Sequence, residues 1–84
     1  MTRIKFCGMK RPEDVGAAVE LGADAVGFVM APSPRRLEVE EARELVGEVG
    51  PFVSAVGLFV DALPGEVVAV SMRAGFDAVQ LHGS

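Results

Sequence analysis

The sequence predicts an α/β chain in which four parallel strands alternate with three helices, in the order β-α-β-α-β-α-β. Three observations predict it. Short runs rich in Val, Ile and Phe alternate with longer runs whose apolar residues recur every three or four positions. Proline and glycine punctuate the longer runs at their starts and ends. One short sequence, Gly22-Ala-Asp-Ala-Val26, recurs 53 residues later as Gly75-Phe-Asp-Ala-Val79, each time where a helix gives way to a strand.

The first strand is expected near residues 2–7, where Ile4 and Phe6 alternate with Lys5 and Cys7. A helix follows near 12–21. Pro12 stands where a first helical position has no use for an N–H, Glu13 and Asp14 favour the positive dipole end, and Gly22 supplies a left-handed stop. The second strand is expected near 24–30. In the helix near 38–49, Val39, Ala42, Leu45, Val46 and Val49 form one apolar face and leave Glu40, Glu41, Arg43, Glu44 and Glu48 for water. The third strand is expected near 53–60. Pro64, Glu66 and Gly75 frame a helix near 64–74, and a last strand follows near 77–82.

Strands joined by helices run parallel with right-handed crossovers, which leaves a doubly wound open sheet or part of a (β/α)8 barrel. Alternation favours the barrel. Ile4 and Phe6, Val26 and Phe28, Val56 and Leu58, and Val79 and Leu81 are expected to face the helices, which puts Lys5, Cys7, Gly27, Val29, Gly57, Phe59, Gln80 and His82 opposite. A sheet covered by helices on both faces rarely holds Lys, Gln and His in such positions, whereas a barrel interior opening onto a polar site accommodates them. The expected unit is therefore a single domain over 1–84: a partial (β/α)8 TIM barrel with a parallel sheet, corresponding to the N-terminal half.

A net charge of -4 and a pI near 4.8 argue against a nucleic-acid partner. The charge is unevenly spread. Residues 1 to 36 carry six Lys or Arg against four acids, and residues 37 to 84 carry two against eight, so a local basic cluster survives in an acidic chain. With Cys7 as the one cysteine no intramolecular disulfide forms, and no Cys or His stand at metal-ligand spacing. There is no signal pattern, and the longest apolar run, Ala25 to Ala31, is too short to span a bilayer. A soluble, cytoplasmic protein without a membrane partner or a metal cluster is the expectation.

Cys7 is followed by Gly8 at the C-terminal end of the first strand, where α/β folds place reactive groups; a base or nucleophile and a buried structural thiol are both open there. Lys5, two residues back on the same face, is a cation of the kind that favours a thiolate, or else a buried charge paired with an acid. His82 ends the fourth strand with Gly83 behind it, either as a site residue or as a hydrogen-bonded structural one. Arg35 and Arg36 follow Pro32-Ser-Pro34 in the loop after the second strand and suit a carboxylate or phosphate, with a solvated charge pair as the alternative. No Gly-rich phosphate fingerprint or P-loop is present, which argues against dinucleotides and ATP.

Taken together, Lys5-Phe-Cys-Gly8, Glu13-Asp14, Gly22-Ala-Asp-Ala-Val-Gly-Phe28, Pro32-Ser-Pro-Arg-Arg36, Val56-Gly-Leu-Phe-Val60 and Val79-Gln-Leu-His-Gly83 resemble the phosphoribosylanthranilate isomerases, in order and from the first strand to the end. The resemblance implies an Amadori rearrangement of N-(5-phosphoribosyl)anthranilate to 1-(2-carboxyphenylamino)-1-deoxyribulose 5-phosphate, a step of tryptophan biosynthesis that needs no cofactor. It implies Cys7 as the general base, Arg36 as the holder of the anthranilate carboxylate and His82 as a binding residue, with no catalytic step for Lys5.

Two departures stand out. Lys10 replaces a threonine frequent in the family that would cap the first helix, a loss of about 1 kcal/mol. The family's general acid, an aspartate on a later strand, and its phosphate-binding loops have no counterpart in these 84 residues. Four parallel strands cannot close a barrel, so self-association through open edges or pairing with a C-terminal half is expected, and the chain alone is expected to be inactive. The alternatives are a non-catalytic oligomerising half-barrel and a barrel isomerase or epimerase for another phosphosugar.

Overall fold

The computed structural model describes residues 3–83. Its elements are β1 (Lys5–Cys7), α1 (Pro12–Glu20), β2 (Ala25–Val29), α2 (Val39–Val46), β3 (Ser54–Val60), α3 (Pro64–Ala74) and β4 (Ala78–His82). Each expected element is present. The expected first strand began at Thr2, which lies outside the described residues, and regular pairing starts only at Lys5. The second helix ends at Val46 rather than residue 49, because Glu48 and Val49 donate to the carbonyls of Leu45 and Val46 in tighter turns; Val49 is nevertheless buried, as its place on the apolar face requires.

Pro12 and Pro64 open α1 and α3, and Gly22 and Gly75 close them, each with φ of 86° in the left-handed region where a Cβ is strained. The N-terminal residue of α2 is held differently: the Glu41 carboxylate accepts from the Glu38 N–H at 2.9 Å. Position 10 does not cap α1. Arg11 is the N-cap, without a side-chain cap bond, and its guanidinium lies 3.3 Å from Glu13 and 3.5 Å from Asp14; the expected cap loss at Lys10 is therefore not where the structure would register it.

The strands are parallel and lie in the order β1-β2-β3-β4. A doubly wound sheet reverses its strand order at a switch point, so this monotonic order is that of a barrel segment. The core packs Val26, Phe28 and Ala55 of the sheet against Val15 and Ala18 of α1, Ala42 and Leu45 of α2, and Ala74 of α3.

The recurring Gly-x-Asp-Ala-Val sequence has a physical role. Asp24 accepts from the Ile4 N–H at 2.7 Å and its own N–H donates to the Ile4 carbonyl at 2.7 Å. Asp77 does the same with Ala55, at 2.8 Å for both bonds. Each aspartate thus pins the start of its strand to the preceding one and sets the register.

That register corrects the expectation for β3. Val26 pairs with Ala55 and Phe28 with Gly57, so Ala55, Gly57 and Phe59 face the helices and Val56, Leu58 and Val60 face the opposite side. From Ala55 to Val60 the strand is apolar on both faces, and its one polar residue, Ser54 at the start, lies on the side of Val56. Phe76, just after α3, fills the space that Gly57 leaves: its ring stacks on Phe28 at 6.1 Å and meets Phe59 edge-on at 6.4 Å. The faces expected for β1, β2 and β4 agree with the observed pairing.

Lys5 on β1 donates a hydrogen bond to the Gln80 side-chain carbonyl on β4, across the intervening two strands. Three strand spacings amount to roughly 14 Å along the sheet, more than two such side chains span on a flat surface, so the sheet curls toward the helix-free face. This is the curvature of a barrel wall. β1 and β4 leave one edge each unpaired among the described residues, and β4 is exposed along its length, including Val79 and Leu81.

Candidate functional site

The concave face of the sheet carries Lys5 and Cys7 from β1, Gly27 and Val29 from β2, Val56, Leu58 and Val60 from β3, and Gln80 and His82 from β4. Parallel strands bring their C-terminal ends to one rim. Cys7 and His82 end their strands there, and the loop carrying Arg35 and Arg36 leaves β2 at the same rim.

Cys7 pairs with Gly27, whose missing side chain makes room for the thiol: a Cβ at residue 27 would lie 3.3 Å from Cys7 Sγ. The thiol belongs to an exposed residue, so the reading of Cys7 as a buried structural cysteine does not hold. Arg36 forms a parallel bridge with Val29, and the Leu37 N–H donates to the Val29 carbonyl at 2.9 Å. Because β3 holds the other side of Val29 through Leu58, Arg36 continues the line of β1 beyond its end. Bridge partners share a face, and Val29 shares one with Gly27, so Cys7 and Arg36 point to the same side two residues apart, or about 7 Å along the strand direction.

The Lys5–Gln80 bond places His82 on the same scale. It joins inner-face residues of β1 and β4; the register sets Cys7 level with Ala78, so Cys7 and His82 share the concave face, with His82 four residues further along its strand toward the rim. Neither Cys7, Arg36 nor His82 makes a side-chain hydrogen bond or ion pair among the described residues. Lys5 is not paired with an acid, as one reading had it, and its ammonium is engaged by Gln80.

Gln80 was legible as a polar residue between Val79 and Leu81 but was not singled out; its alternation onto the inner face was the available signal. Arg35 has a position of its own. Its side chain lies over Gly8, where φ is 74° and a Cβ would come within 2.7 Å of the Arg35 Cδ. Among the described residues Lys5, Lys10, Arg35 and Arg36 pair with no carboxylate, whereas Arg11, Arg43 and Arg73 each do. In an acidic chain this leaves uncompensated positive charge around Cys7, a field suited to an anionic ligand. A cleft of about 500 Å³ lies at the other end of the strands, near Arg3, Asp24 and Ser54, and holds none of Cys7, Arg36 and His82. No helix among the described residues is long and apolar enough to cross a membrane.

Comparison with known proteins gives one consistent result. Residues 4–84 match the family model described as N-(5'-phosphoribosyl)anthranilate isomerase. A relative of that name from Halorhodospira halophila is 52% identical over 84 residues, covering 99% of this chain and 41% of the relative. The structure is similar to that of a phosphoribosyl anthranilate isomerase in complex with reduced 1-(o-carboxyphenylamino)-1-deoxyribulose 5-phosphate, with a TM-score of 0.96 and 46% identity over 100% of this chain and 44% of that one. The enzyme from Thermotoga maritima aligns equally well, with a TM-score of 0.96 at 46% identity over 100% of this chain and 42% of that one. The chain spans about two fifths of the length of the curated relatives it matches.

Proposed function

The chain belongs to the N-(5'-phosphoribosyl)anthranilate isomerase family, and from that premise we propose that it forms the N-terminal half of an isomerase that converts N-(5-phosphoribosyl)anthranilate to its 1-amino-1-deoxyribulose product. The observation that carries this is the pairing that sets Arg36 in line with β1, on the face of Cys7 and about two residues beyond it. A carboxylate holder and a base are thus spaced across one small substrate. The complex of a relative with a reduced form of that product supports the substrate class.

In the proposed reaction an acid on the remainder of the barrel protonates the ribose ring oxygen, and the ring opens to a protonated imine between C1 and the anthranilate nitrogen, which keeps its hydrogen. The Cys7 thiolate takes the proton from C2, the C2–H electron pair forms the C1–C2 double bond, and the imine electrons return to nitrogen. The enolamine then takes a proton at C1 and releases one from the C2 hydroxyl, which leaves the ketone. Atoms and oxidation level balance within the substrate. Arg36 binds the carboxylate through its planar fork, away from C2, and so contributes binding rather than proton transfer. His82, on the same concave face at the end of β4, likewise contributes binding rather than proton transfer.

The open β1 and β4 edges and the curvature between them support pairing with the further three fifths of length that the relatives possess. The same edges support self-association when that part is missing. The test is to mix this chain with the C-terminal half of a family member and follow the loss of phosphoribosylanthranilate fluorescence, with Cys7→Ser in parallel. Turnover that needs both halves and vanishes in Cys7→Ser is the expected result. A sized and folded complex without turnover would refute the reading in favour of a scaffold or another phosphosugar.

A further inference from the structure

Lys10 lies in the turn after β1, and its side chain does something other than cap a helix. Its Nζ donates to the carbonyl of Pro34 at 3.3 Å, across 24 residues of sequence, and so joins the turn after β1 to the loop after β2. That loop is otherwise held at four points. Arg35 N–H donates to Ser33 Oγ at 3.0 Å and Arg36 N–H to the Ser33 carbonyl at 3.1 Å; the Arg35 stem lies over Gly8; the Arg36–Val29 bridge, with the Leu37 N–H on the Val29 carbonyl at 2.9 Å, holds the backbone at Arg36; and Leu37, 1% exposed, anchors the far end in the core. Ser33 shapes the loop internally and Leu37 fixes where it rejoins the fold. Among the described residues, Lys10 and Arg35 tie its tip to the turn that follows Cys7. From this we propose that Lys10 is a positioning residue: through Pro34 it fixes the Arg36-bearing loop relative to Cys7.

This inference rests on the proposed isomerase reading for its kinetic consequence but not for its structural one. Freeing the tip loosens Arg36, which acts on a carboxylate remote from the reacting C2, so ground state and transition state lose binding alike. Such a loss raises KM and leaves kcat unchanged. A general weakening of the fold would not separate the two constants, nor be reversed by a second long cation.

The experiment uses the two-half complex with Lys10→Met and Lys10→Arg. In Lys10→Met, KM for phosphoribosylanthranilate is expected to rise about three- to tenfold with kcat within twofold, and Lys10→Arg is expected to restore KM to within twofold. Amide hydrogen exchange of the same variants gives a readout that needs no activity: exchange at Arg36 should quicken severalfold in Lys10→Met and return in Lys10→Arg. An unchanged KM in Lys10→Met, a fall in kcat at constant KM, or unchanged exchange at Arg36 would overturn the proposal. If the unsubstituted complex has no turnover, the isomerase reading fails and the exchange data alone decide the role of Lys10.

Discussion

Replacing Gly57 by alanine tests the face assignment of β3 most directly. A Cβ at residue 57 would lie under 3 Å from two atoms of the Phe76 ring and 2.9 Å from Phe59 Cε2, both of which are packed against the helix side of the sheet. One methyl therefore pushes Phe76 off its contacts with Phe28 and Phe59, each worth about 0.5–1.5 kcal/mol, and overpacking adds about 1–3 kcal/mol of its own. With partial relaxation the loss is about 2 kcal/mol, or roughly 8–16 °C in Tm for a domain of this size. Gly16→Ala is the control, since nothing lies within 4 Å of a Cβ there and the site is inside α1; it should stabilise by about 0.5–1 kcal/mol. Thermal and urea melts followed by far-UV circular dichroism measure both. Adding Phe76→Leu to Gly57→Ala should recover about 1 kcal/mol relative to the sum of the single changes. Additivity within about 0.5 kcal/mol, or a Gly57→Ala protein as stable as the parent, would refute the packing of Phe76 over Gly57.

Four further outcomes follow from the same geometry. In the two-half complex Cys7→Ser should lower kcat by about 10²–10⁴, the contribution of a positioned base, while Arg36→Met should act mainly on KM; steady-state kinetics separate the two. Gly27→Ala, whose methyl would stand 3.3 Å from Cys7 Sγ, should reduce the rate of Cys7 alkylation by iodoacetamide with little change in the melting curve. Asp77→Ala should cost about 1.5–3 kcal/mol by removing a charged acceptor from the Ala55 N–H, with hydrogen-exchange protection lost first along β4; Asp24→Ala should cost a similar amount and expose β1 instead. The hydrogen bond and charge of Arg73, 2.6 Å away, hold the Glu40 carboxyl below the ordinary glutamate range, so the stability this pair contributes is complete above that range and lost as pH falls through the lowered value; the Tm difference between the parent and Glu40→Gln should shrink in acid, and a difference that grew there would contradict the sign.

How far the sequence could be read depended on whether each element carried a polar marker. β1 and β4 did, in Lys5 and Gln80, and for both the phase read from alternation matches the pairing. β3 carried only Ser54, at its first position. Ala55 to Val60 is apolar on both sides, and the contacts that hold its phase lie 22 and 19 residues away along the chain: the Asp77 clamp on Ala55 and the Phe76 ring over Gly57. Both contacts were visible in the sequence only as letters of a repeated pentapeptide. The recurrence at residues 22 and 75 read as a mark of repeated architecture, and the reason it recurs, an aspartate pinning two strand starts, lies in hydrogen bonds that no local pattern spells out.

The rim shows the same division between local and non-local causes. Cys7 and His82 were legible because strand ends are where such folds gather reactive groups, and alternation alone put both on one face. Arg36 could be named through its motif, but its position relative to Cys7 depends on the chain returning to β2 after a six-residue excursion and resuming the line of β1. An excursion of that kind holds its geometry only if something fixes its tip. Leu37 and Ser33 secure its end and its internal turn. The lysine that reaches across to Pro34 therefore stands, with the Arg35 stem over Gly8, where the two candidate site loops are coupled, and a substitution there should be felt at Arg36 before it is felt in the core.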